Sequence, residues 1–218
     1  MRYLLKFNKE GYIIYTSHLD IMRLFKRSFK RVGIKLTFSQ GFHPHPKMSF
    51  AQPLSLGYSG IGEYLEFETE TPLEKEEIVK KLNEIMPVGL VLTGCDSLPN
   101  TGKTMAAMVN KASYHITIPM ELDQPIDLLL TNFLNQETIE VTKFQKKSGK
   151  ETIQEIKEMI LDLKGEYYDK KIMLTTTLCA GSVKNVSPEL LLQALFKFLQ
   201  REIRREEIKI ERISIDFQ

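Results

Sequence analysis

The sequence has no tryptophan, only two cysteines and only four histidines in 218 residues. The two cysteines, Cys95 and Cys179, stand far apart and outside any CxxC, which excludes a disulfide framework and a cysteine metal knuckle. They are read as buried small hydrophobes. No apolar run approaches about 18 residues, so no membrane-spanning helix is expected. The opening "MRYLLKFNKEGYIIY" lacks the charged-then-apolar order of a signal peptide, and the chain is read as cytoplasmic. "TGKT" at 101–104 has the ending of a phosphate-binding P-loop, but Ser97 stands where the pattern needs its first glycine. Nucleotide binding there is excluded.

The most telling absence is of acid. From Ile21 to Gly62 there is neither aspartate nor glutamate, while Arg23, Lys26, Arg27, Lys30, Arg31, Lys35 and Lys47 fall inside that stretch. The segment carries +7 of a chain whose net charge is +2, which leaves −5 for the rest. A basic block in a mildly acidic protein points to an anionic partner, nucleic acid first. A solvated helix face answered by acids from elsewhere in the fold is the alternative.

What is present fits one large domain or two small ones with a sizeable core, since 42% of residues are hydrophobic and 27% charged. "RYLLKFNKE" alternates and predicts a strand. "YTSHLDIMRLFKRSFKRVG" predicts a helix capped by Ser17, with Asp20 three residues on and Gly33 as its stop. Met22, Phe25, Phe29 and Val32 make its core face. "IKLTFS" and "EYLEFETE" predict strands, "EKEEIVKKLNEIMP" a helix, and "GLVLTGCDSL" a strand. That order, β-α-β-β-α-β, is the ferredoxin-like split motif. Residues 99–112 read as a connector with a short helical turn. The second half repeats the pattern loosely, with strands at "SYHITIPM", "TIEVTKFQ", "KIMLTTTLCA" and "IERISIDFQ". Its helices are "PIDLLLTNFLNQ", "SPELLLQALFKFLQ", with Ser187 as cap and Pro188 first inside, and an inserted "TIQEIKEMILDL". The predicted fold is α+β: two tandem ferredoxin-like halves, 1–98 and 113–218, with antiparallel sheets and helices on one face.

Half the histidines lie in one decapeptide, "GFHPHPKMSF" at 41–50. The prolines favour extended backbone at themselves and at the residue before. Residues two apart then share a side, so His43 and His45 face one way with Lys47 following. Three chemistries remain open. The histidines bind a metal, with His18 and Asp20 as further donors. Or one of them is a general acid or base on RNA, with Lys47 steadying an anion. Or the loop binds without reacting, Phe42 and Phe50 stacking on bases and Lys47 meeting phosphate. His18, at the positive end of its helix, is expected neutral. "QKKSGKE" at 145–151 and the turn "AGSV" at 180–183 offer weaker anion contacts. The catalytic candidates are His18, His43 and His45. The RNA-binding candidates are Arg23, Arg27, Lys30, Arg31, Phe42 and Lys47.

"YTSHLDIMRLFKRSFKRVGI" and "FSQGFHPHPKMSFAQPLSLGYSGIGEYLEFE" resemble the radical SAM-linked protein family, a domain of unknown function found beside or fused to radical SAM proteins. "KKSGKETIQEI" and "GSVKNVSPELLLQAL" resemble it more loosely. Between 17 and 63 the matching positions are His18, Asp20, Arg23, Arg27, Gly41, Phe42, His43, Pro44, His45, Pro46, Lys47, Ser49, Pro53, Leu56, Gly57 and Glu63. The resemblance implies a radical SAM partner that carries the iron–sulfur cluster and S-adenosylmethionine. This chain lacks the CxxxCxxC that would hold the cluster, and no cofactor of its own is expected. The tandem layout is also similar to that of CRISPR repeat-processing endoribonucleases and some pseudouridine synthases, a likeness of fold and not of function. The expected function is an accessory RNA-binding protein in tRNA or rRNA modification. The alternatives are a metal-independent RNA-processing enzyme using His18, His43 or His45, and a docking module that meets only the partner protein.

Overall fold

A computed structural model of the chain describes residues 1–99, 102–145 and 149–218. The fold is α+β, with mostly antiparallel strands, and divides into two compact units. The first holds Met1–Val109 together with Arg212–Gln218, the second Asn110–Glu211. Among the described residues no helix is long and apolar enough to cross a membrane.

In the first unit, β1 (Arg2–Lys9) lies between β4 (Leu90–Leu98) and β3 (Tyr58–Glu68), antiparallel to both. The short β2 (Met48–Phe50) pairs with Leu65–Phe67 of β3. Alternation along β1 sends Tyr3, Leu5 and Phe7 to one face, where they meet helices α1 (His18–Arg31) and α2 (Lys75–Asn83). α1 presents Ile21, Phe25 and Phe29 to that face. Phe25 sits edge-on to Phe7 at 5.2 Å, and Phe29 lies 4.6 Å from Phe67, centroid to centroid. Met22 and Val32, expected in the core, are only half-buried.

Both ends of α1 follow local rules. Ser17 Oγ accepts from the Asp20 N–H at 3.2 Å. At the other end Gly33, at φ +79°, takes the left-handed conformation that closes the helix. The Ile34 N–H donates to Phe29 O at 2.9 Å and the Gly33 N–H to Lys30 O at 3.2 Å, the paired closure of a Schellman motif.

Two predicted elements are absent. "IKLTFS" forms no strand: only Leu36 bridges to Thr69, and Phe38 bridges to Pro46. Its alternating pattern is met by burying Ile34 and Leu36 in an irregular segment, while Phe50 and its neighbours take the place beside β3. "TIQEIKEMILDL" is no helix. It splits into β7 (Lys150–Glu155), a 3-10 turn and β8 (Ile160–Tyr168). β7 pairs with β6 (Glu140–Gln145) and β8 with β9 (Lys171–Cys179). The turn between two strands imitates helical spacing, and Ile153, expected on a core face, is exposed.

In the second unit β9 lies between β8 and β5 (Val109–Pro119). α4 (Ile126–Leu134) rides over β8 at Gly165, where an added Cβ would stand 2.8 Å from Ile126 and 2.9 Å from Leu130. α5 (Pro188–Leu199) contributes Leu191, Leu192 and Leu195 to the core. β10 (Lys209–Phe217) follows, and from Arg212 onward it belongs to the first unit.

The first unit buries two ion pairs. Arg2 donates to Glu66 at 2.7 Å and to the carbonyls of Pro99 and Lys103 at 2.9 and 3.1 Å. Arg212, 2% exposed, donates from Nε to Glu63 at 2.8 Å, with a second short contact between the same groups. It also reaches Gln52 Oε1 at 3.0 Å and Gln52 O at 2.8 Å. Such a pair is costly to break from one side, because the remaining charge is stranded. Glu63→Leu and Arg212→Met are each expected to cost about 3–5 kcal/mol in urea unfolding, whereas Glu63→Leu/Arg212→Met together cost less than the two added. Strict additivity would show that the charges are not coupled.

Candidate nucleic-acid interface

α1 carries cations on every side that the core leaves open. Arg23, Lys26, Arg27, Lys30 and Arg31 are all exposed. Arg23 is engaged, its Nη1 donating to Asp20 Oδ1 at 2.8 Å. Lys26, Arg27, Lys30, Arg31 and the nearby Lys35 have no carboxylate partner among the described residues. Arg27 and Arg31 stand four apart on one line of the helix, Lys26 and Lys30 on the next. The helix dipole favours cations in the last turn, which accounts for Lys30 and Arg31. It accounts for neither Lys26, Arg27 nor Lys35.

The histidine loop is a small hairpin over 37–47. The Lys47 N–H donates to Thr37 O and the Ser39 N–H to His45 O, both at 2.8 Å. The His45 N–H reaches Ser39 Oγ at 3.0 Å. The base is tied to β3 through Thr37 N–H to Glu68 O at 2.9 Å and Glu68 N–H to Lys47 O at 3.0 Å. His43 sits at the tip and His45 on the returning arm, both exposed. Phe42, at 102% relative exposure, touches almost nothing. Phe50, the other predicted stacking ring, is in the core, 5.9 Å from Phe7. Lys47 is engaged: its Nζ meets Glu68 Oε2 at 2.8 Å.

His18 belongs to a different place. Its ring packs 5.2 Å from Phe50 and shares a cavity with Phe7, Lys9, Ile21, Gln52, Leu54 and Glu63. The cavity measures about 20 Å³, room for one water and no substrate. Lys9, 2% exposed, donates to Ile14 O and Thr16 O, both at 3.1 Å. Burial pushes the Lys9 pKa down, against the pull of Glu63. His18 Nδ1 is buried without a hydrogen-bond partner among the described residues. Burial first, then the Lys9 charge, lowers the His18 pKa, so the imidazole is held neutral. The shift runs in the direction expected of His18, and its causes are desolvation and Lys9.

The three candidate histidines therefore do not form one site: neither His43 nor His45 lines the His18 cavity. Asp20, offered as a metal donor, bonds Ser17 Oγ at 2.7 Å as well as Arg23. No three histidine, cysteine or acidic side chains among the described residues come together as a metal site. Cys95 and Cys179 are half-buried rather than buried, and burial pushes the Cys95 thiol up to about 12. Lys146, Lys147 and Ser148 of the 145–151 turn, and Thr101 of "TGKT", lie outside the described residues. Lys9 and Arg212 escape sequence reasoning, because nothing in an alternating strand marks which charged residue will be buried, and Gln52, in the bend after β2, carries no signal of its own.

Residues 2–188 match the family described as "Uncharacterized protein conserved in bacteria (DUF2344)", and the chain belongs to it. No curated protein matches. Among solved structures the chain is similar to a chain in the crystal structure of a Cbf5–Nop10–Gar1 complex, with a TM-score of 0.53 and 9% identity. The match covers 98% of this chain and 48% of the other, so this protein spans about half the length of its structural neighbour. At that identity the likeness concerns the fold alone. None of these matches names a radical SAM protein.

The His18 geometry makes a pH prediction. Its folded pKa lies below the ordinary 6.5, so the unfolded chain takes up the proton first. The stability that depends on neutral His18 is complete above that value and is lost as pH falls through the folded pKa. The urea midpoint of the wild type is expected to drop more between about pH 7.5 and about pH 5.5 than that of His18→Gln. Parallel drops would refute the assignment.

Proposed function

We propose that this chain is an RNA-binding accessory protein that works with a radical SAM enzyme in the modification of tRNA or rRNA. The observation that carries the RNA half is the group of exposed cations on and after α1 that have no carboxylate partner among the described residues: Lys26, Arg27, Lys30, Arg31 and Lys35. Pairing accounts for Arg23 and Lys47, and the helix end for Lys30 and Arg31, but Lys26, Arg27 and Lys35 have neither reason. Unpaired cations set on a rigid helix suit a phosphate backbone, where bound counterions are released on contact. Phe42 on the adjoining hairpin supplies an exposed ring for a base. The partner half rests on the resemblance of residues 17–63 to the radical SAM-linked family. The partner would supply cluster and S-adenosylmethionine, and this chain would hold the substrate. The tandem ferredoxin-like reading belongs to the same proposal. It is supported in the first unit by the strand order β4-β1-β3 with β2 on the outer side of β3.

A stand-alone RNA-processing enzyme draws less support. His18 sits in a cavity too small for a nucleotide, and His43 and His45 are exposed on one hairpin.

The test is a titration with total tRNA across a series of salt concentrations. Wild-type affinity is expected to fall steeply with salt, and Arg27→Glu/Arg31→Glu to bind weakly with a slope shallower by about 2. Absent binding, or a variant that binds as the wild type does, overturns the reading and turns the basic face toward a protein. Lys47 is already paired with Glu68, so Lys47→Gln is expected to weaken tRNA binding less than Arg27→Gln in the same assay. The reverse order would place the contact on the hairpin rather than the helix.

A further inference from the structure

The C-terminal turns of α1 and the base of the 37–47 hairpin enclose an open groove of about 540 Å³. This is within the size range of small-ligand sites. Lys26 and Lys30 form one wall and Lys35 contributes a third ammonium. Leu36, 7% exposed, lies in the floor, and Glu70 is the single carboxylate among the lining residues. Phe38 also lines it and is 49% exposed, whereas Phe25 and Phe29 of the same unit are fully buried.

We propose that this groove binds one nucleotide of a single-stranded RNA segment, the base against Phe38 and the flanking phosphates on Lys26, Lys30 and Lys35. The inference rests on the RNA reading above and names where a base is held. Three considerations carry it. The groove is cationic, with three ammonium groups against one carboxylate, and none of the three has an ion-pair partner among the described residues. The Phe38 backbone is bridged to Pro46 and flanked by the two 2.8 Å hairpin bonds, so the ring is carried by an ordered stretch of chain. A backbone ordered before binding loses little entropy when a base stacks on its ring. An apolar floor beneath a cationic rim matches a nucleotide, whose base is flat and whose charge lies at the edge. A duplex keeps its bases stacked on one another and offers the groove phosphates only. Glu70, which also lines the groove, would accept an N–H from the base edge.

The experiment measures fluorescence anisotropy with a labelled single-stranded RNA octamer, the same sequence as a duplex, and a peptide of alternating glutamate and phenylalanine. Wild type is expected to prefer the single strand. Phe38→Ala should weaken the single strand roughly tenfold, the scale of one lost base stack, and leave the duplex unchanged. Lys26→Gln/Lys35→Gln, both at exposed positions, should weaken it with a shallower salt slope and guards against a folding defect in Phe38→Ala. If the single strand binds Phe38→Ala and the lysine variant as it binds wild type, the groove is not the site. The RNA reading then survives if Arg27→Glu/Arg31→Glu still loses tRNA. If no RNA binds at all, both fail. If the peptide binds through Phe38 and RNA does not, the groove takes protein and the proposal is overturned.

Discussion

Glu63 is the carboxylate on which the first unit turns. It takes the Arg212 guanidinium directly, and its charge acts on the ammonium of Lys9. Through Arg212 it holds Gln52, and with Gln52 the segment that leads out of β2. The cavity it lines is also lined by His18, the first residue of α1. One buried anion thus stands where three pieces of chain meet: the start of the basic helix, the exit from the short strand, and the last stretch of the unit. The 33–47 segment departs from the end of that helix and returns into that strand, so both of its anchors are set by the core beneath.

The surface above follows a simple division. Several cations with a structural task are given an acid: Arg23 has Asp20, Lys47 has Glu68, Arg2 has Glu66, while buried Lys9 is held by two carbonyls. Where the chain turns to solvent between Lys26 and Lys35, the acids stop. Repulsion among those charges weakens the fold slightly, and the aromatic packing of Phe25 and Phe29 against Phe7 and Phe67 offsets it. The helix dipole accommodates only Lys30 and Arg31.

What the sequence made legible was whatever local physics decides. α1 could be read because Ser17, the apolar spacing and Gly33 each act within a few residues, and all three act in the structure. The exposed cations were legible because exposure is their default. Strand identity in "IKLTFS" and helix identity in "TIQEIKEMILDL" were not, since pairing partners distant in sequence override a short apolar pattern. The same limit hid the separation of His18 from His43 and His45: the sequence cannot say whether a helix start and a loop 25 residues on come together, and here Phe50 and Lys9 decide where the imidazole packs. Phe38, read as part of a strand, is instead a half-exposed ring in a groove, because its alternation partners Ile34 and Leu36 are buried without it.

The Arg212–Glu63 pair spans 149 residues. A ribosome adding about 5–20 residues per second makes the guanidinium on the order of ten to thirty seconds after the carboxylate. During that interval β1, β3 and α1 have been made, and the carboxylate meant for their interior has the Lys9 charge nearby but not its Arg212 partner. The first unit therefore begins first and finishes last, with the whole second unit made in between. Vectorial synthesis leaves Glu63 without Arg212 until β10 has been made, so the cell's handling of the nascent chain bears on this unit more than on the one made after it.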